Sequence, residues 1–189
     1  MRTKSYLLAA ALLLAAHVSA AAQPGVELWY KLAPPGQGFS ALTPTRAAHE
    51  SQTNPADSRM KMEIYTSEGE GRFFYISSLN FAGLFQPSAA NFESFVKGFL
   101  ESFCGTQRQA GLNCETPFER DLTLGGHRGR QFKVVTSGQS VRVEGVLRIY
   151  MTQKHFYALQ ALGAREGDAV IDKFLRSFAI TQAAPARAR

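Results

Sequence analysis

The sequence predicts an α+β domain, a mainly antiparallel sheet flanked by two principal helices. Three observations point there. Apolar residues recur with helical spacing in only two segments, Phe92–Phe103 and Val170–Phe178. Most other apolar residues alternate with polar ones, as half-buried strands require. Those strands are separated by short turns rather than helices, which makes their neighbours antiparallel.

The first 22 residues are read as an export leader. Arg2 and Lys4 form a basic head, Tyr6 to Ala16 is a Leu/Ala run, and Val18-Ser19-Ala20 supplies small residues for cleavage. The run is short for a membrane span, and no cysteine follows it to carry a lipid. An uncleaved anchor is the alternative. A single domain over residues 23–181 follows, then a tail at 182–189 that lacks core-forming residues and is expected to be disordered.

Short strands are expected at Val26–Leu32 and Phe39–Leu42, around Pro34-Pro35-Gly36, and the polar stretch Thr45–Ser58 reads as a surface loop. Met60, Met62 and Ile64 alternate with Lys61, Glu63 and Tyr65, and Glu68-Gly-Glu-Gly71 turns this strand into Phe73–Ser78. From Pro87 to Cys104 the apolar residues Phe92, Phe95, Val96, Phe99, Leu100 and Phe103 share one helical face, with Ser88 as N-cap and Cys104-Gly105 as the end. Core packing is expected to bury Phe95 and Phe99; a partner groove is the competing reading of the stripe. Phe118–Leu124 alternates, Gly125–Gly129 turns, and Gln131–Val135 continues as the next strand. Val141–Met151 turns through Gln153-Lys154 into Phe156–Leu162. The second helix runs from its cap Asp168 to Phe178, and Ala179-Ile180 closes the domain.

Net charge is +6, but Arg2, Lys4, Arg187 and Arg189 lie in the leader or tail, so the body is nearly balanced. Its cations are scattered among acids, which excludes the dense basic stripe of a nucleic-acid binder. Cys104 and Cys114 are the only cysteines. An oxidising destination and the polar stretch between them favour a disulfide. A redox site would need a tighter Cys-x-x-Cys, and a metal site two more ligands at suitable spacing.

The chain shows no catalytic constellation. Ser137-Gly138 and Ser140 lack the Gly-x-Ser-x-Gly elbow, and Gly125-Gly126-His127-Arg128-Gly129 misses both glycine-rich phosphate fingerprints. His49, His127 and His155 are expected in solvent, in a loop, a turn and a hairpin tip. The turn projecting His127, Arg128 and Arg130 is the best candidate for a contact surface, against the plainer reading of a simple connection. Trp29 and Tyr30 are read as edge-strand packing rather than an exposed aromatic contact. No motif calls for a cofactor.

Several stretches carry a resemblance. Gly38-Phe39-Ser40-Ala-Leu-Thr-Pro44 resembles the opening of small exported bacterial domains of the PsbP/Mog1-like group. Asp121–Phe132 resembles their strand, Gly-Gly turn and strand, Leu147–Leu159 the next hairpin, and Val170–Phe178 the closing helix. The resemblance implies an α/β/α sandwich and, from members that are mostly photosystem or nuclear-transport accessory factors, a non-enzymatic role. No binding residue of those members maps onto this chain, and the cysteine pair is not part of the pattern.

Together these readings describe a periplasmic or secreted cell-envelope protein, a non-catalytic binding or assembly module whose partner is another envelope protein. It would bind no nucleic acid and keep no stable membrane insertion after cleavage. The alternatives are a hydrolase-like enzyme with an unrecognised site and a small-ligand carrier. Cys104→Ser is expected to lower stability by roughly 2–3 kcal/mol in urea unfolding while preserving the fold. Non-reducing peptide mapping is expected to recover the two cysteines in one linked peptide.

Overall fold

The computed structural model describes residues 28–53, 59–81, 88–163 and 167–181. The leader and tail readings lie outside these residues. The chain runs β1 (Tyr30–Leu32), β2 (Phe39–Thr43), β3 (Ala48–Thr53), β4 (Lys61–Gly69), β5 (Arg72–Asn80) and α1 (Ala89–Gln109). It continues through β6 (Asn113–Glu115), β7 (Phe118–Leu124), β8 (His127–Ser137), β9 (Arg142–Met151) and β10 (His155–Leu162). The last elements are α2 (Ala169–Ser177) and β11 (Ala179–Ile180).

The main sheet has eight strands in the order β3-β4-β5-β10-β9-β8-β6, with β7 also pairing with β8. A small sheet, β1-β2-β11, joins the two ends of the domain. Every pairing is antiparallel. The architecture is therefore α+β with a mainly antiparallel sheet, as the alternation predicted.

β10 lies between β5 and β9 and is buried at seven consecutive residues. Because successive side chains point to opposite faces, it feeds two cores. Tyr157, Leu159 and Ala161 join Phe39, Tyr65, Phe74, Ile76 and Tyr150 in one cluster, closed by Ile171, Phe174, Leu175 and Phe178 of the α2 segment. Phe156 and Ala158 join Phe81, Phe132, Val134, Leu147, Ile149 and Met151 in the other, with Phe92 and Val96 from α1. Each helix thus serves a different face.

Two hairpins are set by their turn residues. Glu70 and Gly71 take φ of 52° and 74° between paired Gly69 and Arg72, a two-residue loop of the kind that matches strand twist. Gly125 and Gly126, at 58° and 80°, do the same between Leu124 and His127. That second turn is shorter than the sequence suggests: His127, Arg128 and Gly129 already belong to β8. Gly129 has a packing role instead, since a Cβ there would collide with the Tyr150 ring lying across it.

Four expectations are corrected. The supposed loop at 45–58 contains β3, which pairs with β4 along six residues, all of them exposed. An edge strand with two wet faces has no apolar alternation to reveal it; residues 54–58 lie outside the described set. α1 runs through Gly105 to Gln109 and stops beside Gly111, whose φ is 78°. A mid-helix glycine costs about 1 kcal/mol, which a helix anchored on both sides tolerates. Phe92 and Val96 are buried, but Phe95 and Phe99 are only half-buried, because the helix lays one edge of its wide apolar face on the sheet. Finally, His127 and His155 are buried at 4% and 2% exposure rather than solvated, since each falls on an inward strand position. His49, exposed as expected, sits on β3 with Nε2 2.7 Å from Glu63.

Both helix N-caps are as read. Ser88 Oγ accepts from the Asn91 amide at 3.1 Å, and Asp168 accepts from Val170 and Ile171 at 3.0 and 3.3 Å. Cys104 and Cys114 meet as a disulfide that ties α1 to β6, with Cα atoms 5.2 Å apart. Trp29 packs against the α2 cluster with the Lys173 ammonium 4.4 Å from its ring centre, so the edge-packing reading holds for it.

Asp168 also accepts from Arg72 Nε at 2.8 Å. Desolvation would raise its carboxyl, but the Arg72 and amide bonds outweigh it and hold the group below its usual value. A carboxylate lowered on folding stabilises above its unfolded pKa, and that contribution disappears as pH falls through the folded value. Asp168→Ala is therefore expected to cost about 1–2 kcal/mol near neutral pH. Urea unfolding repeated at about pH 3 and below is expected to show that difference shrinking.

Candidate functional site

The inner positions of β8 alternate between the two faces, and this separates the three residues singled out as a contact turn. Arg128 and Arg130 point toward α1, on the same side as Phe132 and Val134. His127 points to the opposite side, with Gly129 and Gln131. The structure therefore brings the two arginines together and removes the histidine from them.

Both arginines are held by α1. Glu93, off the apolar stripe of the helix, receives Arg128 Nη2 at 3.0 Å on Oε1. Arg130 grips the same carboxylate with both terminal nitrogens, Nη1 at 2.6 Å and Nη2 at 2.8 Å. Its Nε donates to Asp121 of β7 at 3.1 Å. The guanidinium of Arg128 lies 4.9 Å from the Phe92 ring centre, and that of Arg130 lies 5.5 Å from Phe118. Partial burial pulls the Arg130 pKa down, yet the Asp121 and Glu93 contacts prevail and raise it. Two carboxylates and two rings thus fix this side chain, where the sequence suggested free projection into solvent.

Beyond the clamp lies an open groove of about 450 Å³ between α1 and the β7–β8 edge. Its floor is Val96, Leu100, Phe118 and Phe132. Glu93, Lys97, Glu101 and Arg130 form its rim. Phe118 is 54% exposed, a large apolar side chain at the open edge. Phe99 and Phe103, half-buried and stacked at 6.4 Å between centroids, pack against the core beside the groove, with Phe99 5.8 Å from the Phe156 ring. The rim charges are largely paired within the protein; Lys97 and Glu101 stand 3.9 Å apart, one helical turn from each other.

Chemically the groove can hold an apolar group and border it with hydrogen-bonding charges. Its lining is four apolar and four charged side chains, with no serine, cysteine or histidine among them. Among the described residues, no cluster of three or more His, Cys, Asp or Glu could hold a metal ion.

Glu93 and Phe118 were missed in the sequence. Glu93 looks like an ordinary solvent-facing helix residue, and its partners stand 35 and 37 positions away. Phe118 reads as an inward residue of an alternating strand. A bulge between Phe118 and Arg120 breaks that alternation and turns it outward.

No protein-family model and no curated protein matches this chain. Among solved structures it is similar to the solution structure of the cyanobacterial PsbP (CyanoP) from Synechocystis, with a TM-score of 0.57 and 9% identity over 86% of this chain and 98% of that one. The fold is PsbP-like, as the resemblance implied.

The clamp couples α1 to the sheet through one carboxylate. A double-mutant cycle on Glu93→Gln and Arg130→Ala is expected to give a coupling energy of about 1 kcal/mol, screened as salt is raised.

Proposed function

We propose that this chain is an exported cell-envelope protein that acts by binding, as a non-catalytic accessory or assembly module. The groove between α1 and the β7–β8 edge receives an apolar segment of another envelope protein. The observation that carries this reading is the mismatch between the apolar face of α1 and the surface that covers it. Phe92 and Val96 are buried under the helix, while Leu100 beside them is only partly covered and faces the groove together with Phe118, which is 54% exposed. Exposed apolar surface rimmed by polar groups marks an interaction site.

The rim fits the same role. Its charges are compensated before any partner arrives, so docking an apolar segment strands no unpaired ion. A short leader-like N-terminus and a disulfide that an oxidising compartment would preserve support export. The PsbP-like fold supports an accessory role by analogy of architecture only.

Leu100→Glu and Phe118→Ser place a charge and a hydroxyl in the groove without emptying either core cluster. Phe118→Ser is expected to change stability by about 1 kcal/mol, and Leu100→Glu, whose side chain packs on the core, by about 1–3 kcal/mol with the fold retained. Each is also expected to abolish recovery of the partner that wild-type protein retains from envelope extracts. Recovery of the same partner by both variants would overturn the groove as the contact, and substrate turnover by purified protein would overturn the binding role itself.

A further inference from the structure

The opposite face of the same strands carries a second polar constellation. Arg120 of β7, Gln131 of β8 and Arg148 of β9 are direct cross-strand partners, so their side chains form one row across three adjacent strands. Arg148 Nε donates to Gln131 Oε1 at 2.8 Å, and Arg120 Nη2 donates to the same oxygen at 3.2 Å. Gln131 Nε2 donates to Glu119 Oε2 at 2.7 Å, which orients the amide so that its oxygen faces the two cations. Tyr150, two residues along β9, brings its phenol to Arg148. Its ring can lie there because the residue across from it is Gly129.

Two guanidinium groups therefore converge on one neutral oxygen. The other acceptors of Arg148 are neutral too, the Tyr150 phenol and the Leu175 carbonyl at 3.2 Å. Among the described residues, neither arginine has a carboxylate within ion-pair distance. The nearby acids are engaged elsewhere, Asp172 with Arg176 at 3.0 Å and Glu119 with the Gln131 amide. Arg148 is half-buried, and desolvation lowers its pKa despite these contacts. A partly desolvated cation without a counter-ion is costly, and an incoming anion removes that cost.

We propose that the Arg120–Gln131–Arg148 row is a binding site for a carboxylate. Guanidinium donors match the two oxygens of a carboxylate in a planar, bidentate pair. The site is separate from the groove and does not rest on it. Its ligand is the carboxylate of either a small organic acid or a polypeptide C-terminus.

The test is a titration of isotope-labelled protein with sodium benzoate, against sodium chloride at equal ionic strength, following the side-chain Nε–H signals of Arg120 and Arg148. Benzoate is expected to shift both saturably and chloride neither. Arg148→Gln is expected to weaken binding at least about tenfold, and Arg120→Gln about threefold. Arg120 is the exposed member of the row, and its replacement leaves the Arg148 contact with α2 in place. If Arg148 serves only to cap the last carbonyls of α2, its replacement lowers Tm equally with and without benzoate, and the proposal fails. It also fails if chloride reproduces the shifts or if Arg120→Gln binds benzoate as wild type does. A five-residue peptide binding more tightly than benzoate as the free acid, and not as the amide, would identify a polypeptide terminus. The reverse order would identify a small acid.

Discussion

The structure depends on one strand having no wet face. From His155 to Ala161 every residue of β10 is buried, so both sides of the sheet must be covered for the strand to exist at its centre. On one side α2 and the small β1-β2-β11 sheet bring Phe174, Phe178 and Phe39 over Tyr157 and Leu159. On the other, α1 brings Phe92 and Val96 over Phe156 and Ala158. The neighbouring strand must also approach closely. Gly145 of β9 sits where a Cβ would run into the Ala161 carbonyl. The burial of β10 thus dictates both the placement of the helices and the demand for a glycine beside it.

The two covers are not equivalent. The α2 segment buries Ile171, Phe174, Leu175 and Phe178 almost completely, and its N-terminus is locked by Asp168 and Arg72. α1 is longer and touches the core along an edge, so it needs other ties. The Cys104–Cys114 bond secures its C-terminal half to β6, and the Glu93 clamp secures its N-terminal half to β8. A helix tethered at both ends can leave apolar side chains in the open without peeling away. That arrangement is what makes the groove beneath it available.

The sheet presents different chemistry on its two faces at the β7–β9 end. Toward α1 the arginines of β8 meet carboxylates and rings, and their charge is neutralised internally. On the other face Arg120 and Arg148 meet only neutral oxygens. The alternation of one strand, β8, sorts these environments: Arg128 and Arg130 to one side, Gln131 to the other. The two proposed contacts, an apolar segment on the first surface and an anion on the second, follow from this sorting.

Local patterning determined the two helices, their N-caps and most of the strands, because amphipathic periodicity and turn glycines act within a few residues of each other. Asp168 and the Glu70-Gly71 turn were legible for that reason, whereas the stripe pointed to Phe95 and Phe99 as its buried residues where Phe92 and Val96 hold that place. The cysteine pairing was also legible, given so few cysteines. β3 was not, since Ala48–Thr53 is exposed throughout and is held by its pairing with β4 and by His49 against Tyr65 and Glu63. Nor were the buried histidines, whose surroundings are set by strand parity and by elements far along the chain. The groove and the arginine row belong to the same class. Glu93 meets Arg130, and Arg148 meets Leu175, across separations no local pattern records. Only the packing of the helices on the sheet decided which charges would be paired, which apolar face would stay open, and where.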